Sequence, residues 1–239
     1  MRVILFTYTL PAILAVCLSA CEAEPITQDI SILLDQTEEH FTHVSVEDIA
    51  KKSVITESIT NGESIRILSI TELGFNAVSV FRMDVVTNVL LDNDFERDSL
   101  VVTYFTDIDS ALSGLLLERR ERTGSVICKI LAGELNRLSA SSVDRKLLII
   151  NSDLMEKSFI DFYSTTIFNQ IKNEPAKIMD TLIKRYPLKS LQGIEIYIVY
   201  KPTDKSDSER FEIISGFYEN FLESLGAKVF VGSDLNTQN

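Results

Sequence analysis

The chain has 239 residues, 45% of them apolar, and a formal net charge of −12 at pH 7. This acidic balance argues against a nucleic-acid-binding protein, because basic surface supplies most of the affinity for phosphate backbones. It argues equally against electrostatic adhesion to anionic lipid. The length and apolar fraction are sufficient for a single domain with a sizeable core.

The first 20 residues predict a signal peptide. Arg2 is the only charge before Cys21, and most of the residues between them are apolar, as is typical of a secretory signal. A transmembrane anchor is the alternative. The apolar part is short for a span of about 20 residues, and Pro11 interrupts it, so a cleaved signal is the better interpretation.

The end of this segment, Leu18-Ser-Ala-Cys21, resembles the lipobox of bacterial lipoproteins, in which the cysteine is lipidated and becomes the first mature residue. The resemblance implies that acyl chains on Cys21 anchor the protein in a membrane, with residues 21–28 as a tether. The predicted location is the bacterial cell envelope. Acidic Glu22 and Glu24 favour the outer membrane or the cell surface over the inner membrane.

Residues 29–239 are predicted to form one α/β domain. The segments with apolar strand patterns are residues 30–34, 64–70, 77–83, 145–150, 193–200 and 228–232. Near-continuous apolar runs are typical of parallel strands covered on both faces. Helical patterns lie between the strands, at residues 98–122, 125–138 and 175–185, and in a last helix with a capping box at residues 206–209 and Gly226 at its end.

This alternation predicts a doubly wound, mostly parallel, six-stranded Rossmann-like sheet with helices on both faces. Only residues 71–76 separate the second and third strands. Because a parallel crossover needs a dozen or more residues, this pair is expected to be an antiparallel hairpin at a sheet edge.

Oxygen-bearing side chains follow two of the strands. Asp35 and Thr37 come after the first strand, and Asp153 comes after the fourth. Sites in open α/β sheets form outside the carboxyl ends of strands. If the two strands are neighbours, these three side chains converge, and their oxygens suit Mg²⁺, Mn²⁺ or Ca²⁺.

The order of elements, with a first strand ending in Asp35 and a later strand ending in Ser152-Asp153, resembles the von Willebrand factor A-like domain. The resemblance covers residues 29–235. It implies a divalent metal held by an Asp-x-Ser-x-Ser motif, a Thr and an Asp, with a partner's carboxylate completing the coordination. Asp35, Thr37 and Asp153 match motif positions. Glu39 departs from the motif, and no Thr is assignable to the second loop.

Other interpretations of the same residues stay open. Asp35 and Thr37 can instead satisfy nearby backbone N–H groups, and Asp153 can cap a helix over the segment that follows it. His40 and His43 have a spacing that suits zinc if Asp35 or Glu39 joins them. Cys128 lies among apolar residues and is predicted to be buried.

The predicted function is that of a lipid-anchored, exported binding protein that recognises another protein, with Mg²⁺ or Mn²⁺ at an altered site formed by Asp35, Thr37 and Asp153. The first alternative is a metal-free structural lipoprotein subunit of an envelope complex. The second alternative is a metal-dependent phosphoesterase that uses the same carboxylates. An enzyme is the less favoured class, and no nucleic-acid partner is expected.

Overall fold

The computed structural model of the protein describes residues 24–37, 44–71, 78–86, 94–117 and 124–235. The predicted signal peptide, Cys21, Glu39 and both histidines lie outside the described residues, as do most of the residues that connect the predicted hairpin. Within the described ranges, no helix combines the length and the apolar character needed to cross a membrane.

A six-stranded sheet in the order β3-β2-β1-β4-β5-β6 forms the centre of the molecule. The strands are β1 (Thr27–Asp35), β2 (Gly62–Ile70), β3 (Val78–Met83), β4 (Arg145–Asn151), β5 (Ile194–Val199) and β6 (Lys228–Gly232). All neighbouring strands are parallel except β2 and β3, which are antiparallel. The predicted mostly parallel sheet with one antiparallel pair at its edge is therefore confirmed.

The helices are α1 (Val46–Ala50), α2 (Asp94–Leu117), α3 (Ile127–Ala140), α4 (Thr165–Asn173), α5 (Pro175–Arg185) and α6 (Lys205–Ser224). A 3₁₀ turn covers Val54–Thr56. The predictions place β6 at its observed bounds, α5 within about a residue of its bounds, and α3 and the start of α2 within a few residues of theirs. The predicted end of α2 lies outside the described residues. The predictions miss α1 and α4, which are too short for a clear apolar repeat.

Alternate residues of the strands point into two separate cores. Leu33 and Ile150 belong to the core that α3, α4, α5 and α6 cover. Ile32 and Ile149 belong to the opposite core, beneath α1 and α2. Because successive strand residues point to opposite faces, near-continuous apolar strands are the pattern expected for a sheet buried on both sides.

The start of α6 differs from its prediction. The residue at the helix N-cap is Asp204, whose side chain accepts a hydrogen bond from the backbone N–H of Asp207 at 2.9 Å. The predicted capping box at residues 206–209 is therefore wrong, because the chain enters the helix earlier. The predicted end is confirmed: Gly226 has a φ of +98°, a backbone conformation that glycine adopts at little cost.

Candidate functional site at the carboxyl edge of the sheet

Strands β1 and β4 are adjacent and parallel, with Leu34 opposite Asn151. The residues that follow the two strands therefore emerge at the same side of the sheet, here called the carboxyl edge. This confirms the spatial assumption on which the predicted site depends. Asp35 ends β1 there, and the turn at Ser152 and Asp153 follows β4.

The carboxylate of Asp35 is the centre of a network of hydroxyl groups. Its Oδ1 accepts hydrogen bonds from the backbone N–H of Thr37 at 3.0 Å and from the Thr37 hydroxyl at 2.6 Å. Its Oδ2 accepts from the hydroxyls of Ser152 at 2.7 Å and Ser125 at 3.4 Å. Asp35 is 2% exposed, so this buried carboxylate joins three segments that are distant in the sequence.

Ser125 and Ser152 were not identified from the sequence as site residues. Ser152 directly precedes Asp153. The predicted metal ligand is Asp153, because a carboxylate is a stronger metal ligand than a hydroxyl. Ser125 precedes α3, and 90 positions separate it from Asp35. Its backbone also exchanges two hydrogen bonds with Lys157, at 3.1 and 2.9 Å. No local pattern signals this pairing, so only the three-dimensional fold reveals it.

The side chain of Asp153 forms hydrogen bonds within the turn after β4. Its Oδ1 accepts a hydrogen bond from the backbone N–H of Met155 at 2.9 Å, and its Oδ2 lies 3.5 Å from the hydroxyl of Tyr163. The helix expected after Asp153 is absent, because residues 154–163 form an ordered loop. The first residue of this loop, Leu154, has a φ of +64°. Such a positive φ is uncommon for a residue other than glycine.

A second buried carboxylate, Glu156, belongs to this loop and connects it to the start of α3. Glu156 is 0% exposed and accepts a hydrogen bond from the backbone N–H of Cys128 at 2.6 Å, at the first turn of α3. It also accepts from the hydroxyl of Ser158. Burial raises the pKa of Glu156 above its ordinary value. No motif in the sequence singles out Glu156.

Cys128 is buried, as predicted, at 6% exposure. Its sulfur lies 3.3 Å from the hydroxyl of Tyr218 on α6. Burial raises the pKa of the Cys128 thiol well above its usual range. The neutral thiol is a poor nucleophile, so Cys128 contributes packing between α3 and α6.

The Asp35 network contains oxygen atoms of more than one type. Across the described ranges, no three side chains of the types His, Cys, Asp and Glu come together in a way that could hold a metal ion. The network at Asp35 instead combines one carboxylate with the hydroxyls of Thr37, Ser125 and Ser152. The zinc alternative concerns residues outside the described part of the chain.

Two aromatic side chains project from the loop beside this network. Phe159 is 40% exposed and Tyr163 is 48% exposed. Phe159 packs edge-on against Tyr186, with ring centroids 5.5 Å apart, and the guanidinium of Arg185 lies 5.8 Å from its ring. The ammonium of Lys157 lies 5.8 Å from the Tyr163 ring. We call these five residues the aromatic surface.

A cavity adjoins the aromatic surface between the loop, α4 and α6. Its volume is about 350 Å³, and Tyr163 forms part of its wall together with Phe168 and Arg210. Aromatic rings beside a cation are common in protein-binding surfaces. This cavity extends the aromatic surface toward α6.

Comparison with known proteins gives no match to any protein-family model and none among curated proteins. Solved structures of the PilB minor pilin from Streptococcus sanguinis and of its D319A mutant are similar at TM-scores of 0.44 and 0.43. Both are 10% identical in sequence. The alignments cover 88% of this chain and 58% of those chains, so this chain spans less than two thirds of their length.

These comparisons contradict the assignment to the von Willebrand factor A-like family. No family model matches this chain, and the two solved structures named above are titled as a minor pilin. The order of elements that suggested the family is an arrangement of strands and helices, and an arrangement alone does not identify a family. We therefore assign no family and retain the observed α/β architecture.

Proposed function

We propose that the protein is a structural component of the bacterial cell envelope and binds another protein through the aromatic surface. The observation that carries this proposal is the exposure of Phe159 and Tyr163 on one loop. Aromatic side chains that project into solvent from an ordered loop are typical of residues that dominate the free energy of protein association. The proposed role requires no catalytic group.

The loop that carries the two rings is held by its own hydrogen bonds. The backbone N–H of Phe162 donates to the carbonyl of Glu156 at 2.9 Å, and the N–H of Tyr163 donates to Asp161 Oδ1 at 2.9 Å. Lys157 pairs with Ser125 in both directions. A surface ordered before binding loses less conformational entropy on association, which favours a stable complex.

Asp35 has a structural role in this proposal. By accepting hydrogen bonds from Ser125 and Ser152, it fixes the two segments that support the start of the loop. A buried carboxylate whose oxygens accept several hydrogen bonds stabilises its surroundings and is costly to remove. The network therefore maintains the position of the aromatic surface.

The lipid anchor at Cys21 belongs to the same proposal. It is supported by the apolar segment that precedes Leu18-Ser-Ala-Cys21 and by the position of Glu24 only three residues later, close to the start of the sheet. Anchoring by more than one acyl chain is durable without basic surface, which suits a chain with a net charge of −12. The membrane would thus be one partner and a protein the other.

The proposed lipid anchoring in the membrane is tested by the substitution Cys21→Ala. We expect the variant to lose acylation and to leave the detergent phase, as measured by mass spectrometry of the mature protein and by Triton X-114 partitioning. A variant that still fractionates with the membrane would show that the apolar start is an uncleaved anchor. That result would leave the binding role of the aromatic surface untouched.

The binding role is tested by photo-crosslinking in intact cells. A benzoylphenylalanine introduced in place of Phe159 should give a discrete crosslinked species with another envelope protein. The same probe in place of Val102, which is 67% exposed on α2, is the control and should give none. Equal crosslinking at both positions, or none at Phe159, would contradict the proposal.

The second candidate is protein recognition through a divalent cation at Asp35, Thr37 and Asp153. The observation in its favour is that Thr37 donates to the Asp35 carboxylate and that Ser152, the neighbour of Asp153, does so as well. Mg²⁺ and Mn²⁺ prefer such oxygen ligands. Isothermal titration with Mg²⁺ and Mn²⁺ should then show binding that Asp35→Asn abolishes. Absence of heat at millimolar metal would leave the structural role of the network as the sole account.

A further inference from the structure

A groove with a volume of about 440 Å³ opens where β1, β4 and β5 begin. These strands are parallel, so their first residues share one side of the sheet, here called the amino edge. The loop that carries Phe159 and Tyr163 follows the other end of β4. The groove and the aromatic surface therefore lie at opposite edges of the sheet.

Charged side chains of both signs surround this amino-edge groove. The residues that line it include four basic and three acidic ones, which are Lys51, Lys52, Arg145, Lys146, Glu57, Asp144 and Glu195. Such a near balance of charge contrasts with the chain as a whole, whose net charge is −12. A ligand that carries both a negative and a positive group is therefore the kind that this groove fits.

Most of these charges already have partners. Three ion pairs involve the groove, namely Arg145 with Glu57, Lys51 with Asp48, and Glu195 with Lys228. The side chain of Lys146 points to the other face of β4, because it alternates with Arg145 along the strand. Among the ion pairs of the described ranges, none includes Lys52 or Asp144.

Lys52 and Asp144 flank the first residues of β1. The ammonium of Lys52 donates to the hydroxyl of Tyr197 at 3.2 Å, and its backbone carbonyl accepts from the side chain of Gln28 at 3.1 Å. Asp144 Oδ2 accepts from the backbone N–H and from the hydroxyl of Thr27, both at 2.8 Å. These hydrogen bonds lower the pKa of Asp144. The groove thus holds an ammonium and a carboxylate that have no charged partner in the described part of the chain.

The groove lies beside the end of the proposed membrane tether. Ile26, directly before β1, is fixed by hydrogen bonds with Asn61 at 2.8 Å and Gly62 at 3.0 Å. Cys21 is five positions earlier in the sequence, and five extended residues span at most about 18 Å. An anchor at Cys21 therefore holds the amino edge close to the lipid headgroups.

We propose that the amino-edge groove binds the headgroup of a zwitterionic phospholipid that carries a phosphate and a primary ammonium group. This inference rests on the proposed anchoring of the chain in a membrane. Lys52 binds the phosphate, and Asp144 accepts a hydrogen bond from the lipid ammonium. The bound headgroup turns the amino edge toward the bilayer, so the aromatic surface faces away from the membrane and toward a partner protein.

Other phospholipids fit the groove less well. An anionic headgroup such as that of phosphatidylglycerol offers no cation to Asp144, and the net charge of −12 repels an anionic surface. The quaternary ammonium of phosphatidylcholine has no N–H group to donate to the Asp144 carboxylate. Phosphatidylethanolamine supplies both the phosphate and the donating ammonium.

Native mass spectrometry of the full chain, released from detergent, tests the proposal. The protein is mixed with equal amounts of phosphatidylethanolamine, phosphatidylcholine and phosphatidylglycerol, and the lipid adducts are compared. The phosphatidylethanolamine adduct of the wild type should exceed each of the other two about fivefold, the effect of one charged contact at a membrane surface. This comparison decides the matter even if a variant fails to fold.

Two substitutions separate the charges of the groove. Lys52→Gln should reduce the phosphatidylethanolamine adduct about fivefold. Asp144→Asn keeps an acceptor for Thr27 but loses the negative charge, so it should make the phosphatidylethanolamine and phosphatidylglycerol adducts equal. A purely structural role of Asp144 would lower all three adducts together. The control is Glu174→Gln with Lys177→Gln, an exposed ion pair at the start of α5, which should leave the adducts unchanged.

The same spectra show the mass of any acyl chains on Cys21, so failure of the anchor and failure of the groove are distinguished. Equal adducts of the three lipids on the wild type, or a preference for phosphatidylglycerol, would overturn the proposal. A preference for phosphatidylethanolamine that persists in Asp144→Asn, or that the control variant also loses, would overturn it as well. Displacement of the lipid by millimolar inorganic phosphate would identify free phosphate as the ligand instead.

Discussion

Glu63, at the start of β2, is a buried carboxyl group in contact with polar groups of two other elements. It is 4% exposed and accepts hydrogen bonds from the hydroxyl of Tyr104 on α2 at 3.1 Å and from the backbone N–H of Val54 at 3.2 Å. Burial raises its pKa to about 7, although the hydrogen bonds act in the opposite direction. The folded protein therefore holds a proton on Glu63 that the unfolded chain releases near pH 4.5.

This raised pKa predicts that stability falls as the pH rises. The contribution of neutral Glu63 is fully present below the unfolded pKa and is lost as the pH rises through the folded value of about 7. The loss between about pH 4 and pH 8 should be on the order of 3 kcal/mol. Glu63→Gln, which stays neutral, should remove this part of the pH dependence.

The measurement is urea unfolding of the wild type and Glu63→Gln across that range of pH. The difference between the two proteins isolates Glu63 from other titrating groups. The variant should gain stability relative to the wild type above about pH 7. Parallel stability curves for the two proteins would contradict a raised pKa in the folded state.

The two serines at Asp35 provide a matched pair of substitutions. Ser152 donates to the carboxylate at 2.7 Å and accepts from the N–H of Leu154, whereas Ser125 donates at 3.4 Å. Ser152→Ala should lower the free energy of unfolding by about 1–2 kcal/mol and Ser125→Ala by about 0.5 kcal/mol. Chemical denaturation measures the free energy of unfolding of both variants. Equal losses for Ser152→Ala and Ser125→Ala would indicate that the hydrogen bonds of Ser152 do not stabilise the turn after β4.

At the scale of single residues, the sequence indicates Asp35 and its neighbour Thr37, but not the two serines that also donate to Asp35. A carboxylate directly after an apolar strand is a local pattern, and so is the hydrogen bond from Thr37, two residues later. Ser125 and Ser152 approach Asp35 from 90 and 117 positions away. Such contacts depend on the packing of whole elements, which a single sequence does not encode in any local spacing.

At the scale of elements, a cluster of charged side chains connects helix α3 to strands β1 and β2. Arg137 forms two hydrogen bonds with Asp29, at 2.6 and 2.9 Å, and one with Glu134 at 2.8 Å. Arg66 approaches Glu134 from β2. Burial acts to raise the pKa of Glu134, yet hydrogen bonds from Arg137, Arg66 and Ser31 hold it below its usual value.

This cluster predicts unequal effects for two arginine substitutions. Arg137→Ala leaves Asp29 and Glu134, which are 6% exposed, without their main cation and should lower stability by about 3 kcal/mol. Arg145→Ala is the control, because Arg145 and its partner Glu57 have side chains that are 45% and 49% exposed. Its loss should be less than about 0.5 kcal/mol.

Thermal and urea unfolding of the two variants provide the measurement. Similar losses for Arg137→Ala and Arg145→Ala would show that solvent screens the cluster as fully as it screens a surface ion pair. Circular dichroism should also show that the Arg145 variant keeps its helical content.

The strand patterns were the most predictable elements, because each is an apolar run bounded by polar residues. The long helices were predictable from their repeats. The start of α6 was misplaced because Asp204 and Ser206 are both good capping residues, and only the backbone shows that Asp204 is used. The segment after β4 resembles a helix in its sequence but is a loop, and its apolar residues Leu154, Ile160 and Phe162 fill the core from an irregular backbone.

At the scale of the whole molecule, strand order determines where interactions are possible. The neighbouring positions of β1 and β4 bring the Asp35 network and the loop with Phe159 and Tyr163 to one edge. At the other end of the sheet, no strand of the described ranges lies beyond β3. The alternation of strands and helices predicted this architecture, whereas the exposed aromatic rings depend on how one loop folds.

Binding of a partner protein at the aromatic surface is tested most directly by comparing the capture of envelope proteins by two matched double variants. Phe159→Ser with Tyr163→Ser removes the two exposed rings of the aromatic surface. Leu100→Ser with Val102→Ser removes two apolar, non-aromatic side chains that are 50% and 67% exposed on α2.

Quantitative mass spectrometry of the captured proteins should show one partner retained by the wild type and by the α2 variant, and reduced about tenfold or more by loss of the two aromatic residues. Equal retention of that partner by all three proteins, with both variants folded, would contradict the proposal that Phe159 and Tyr163 form the binding surface.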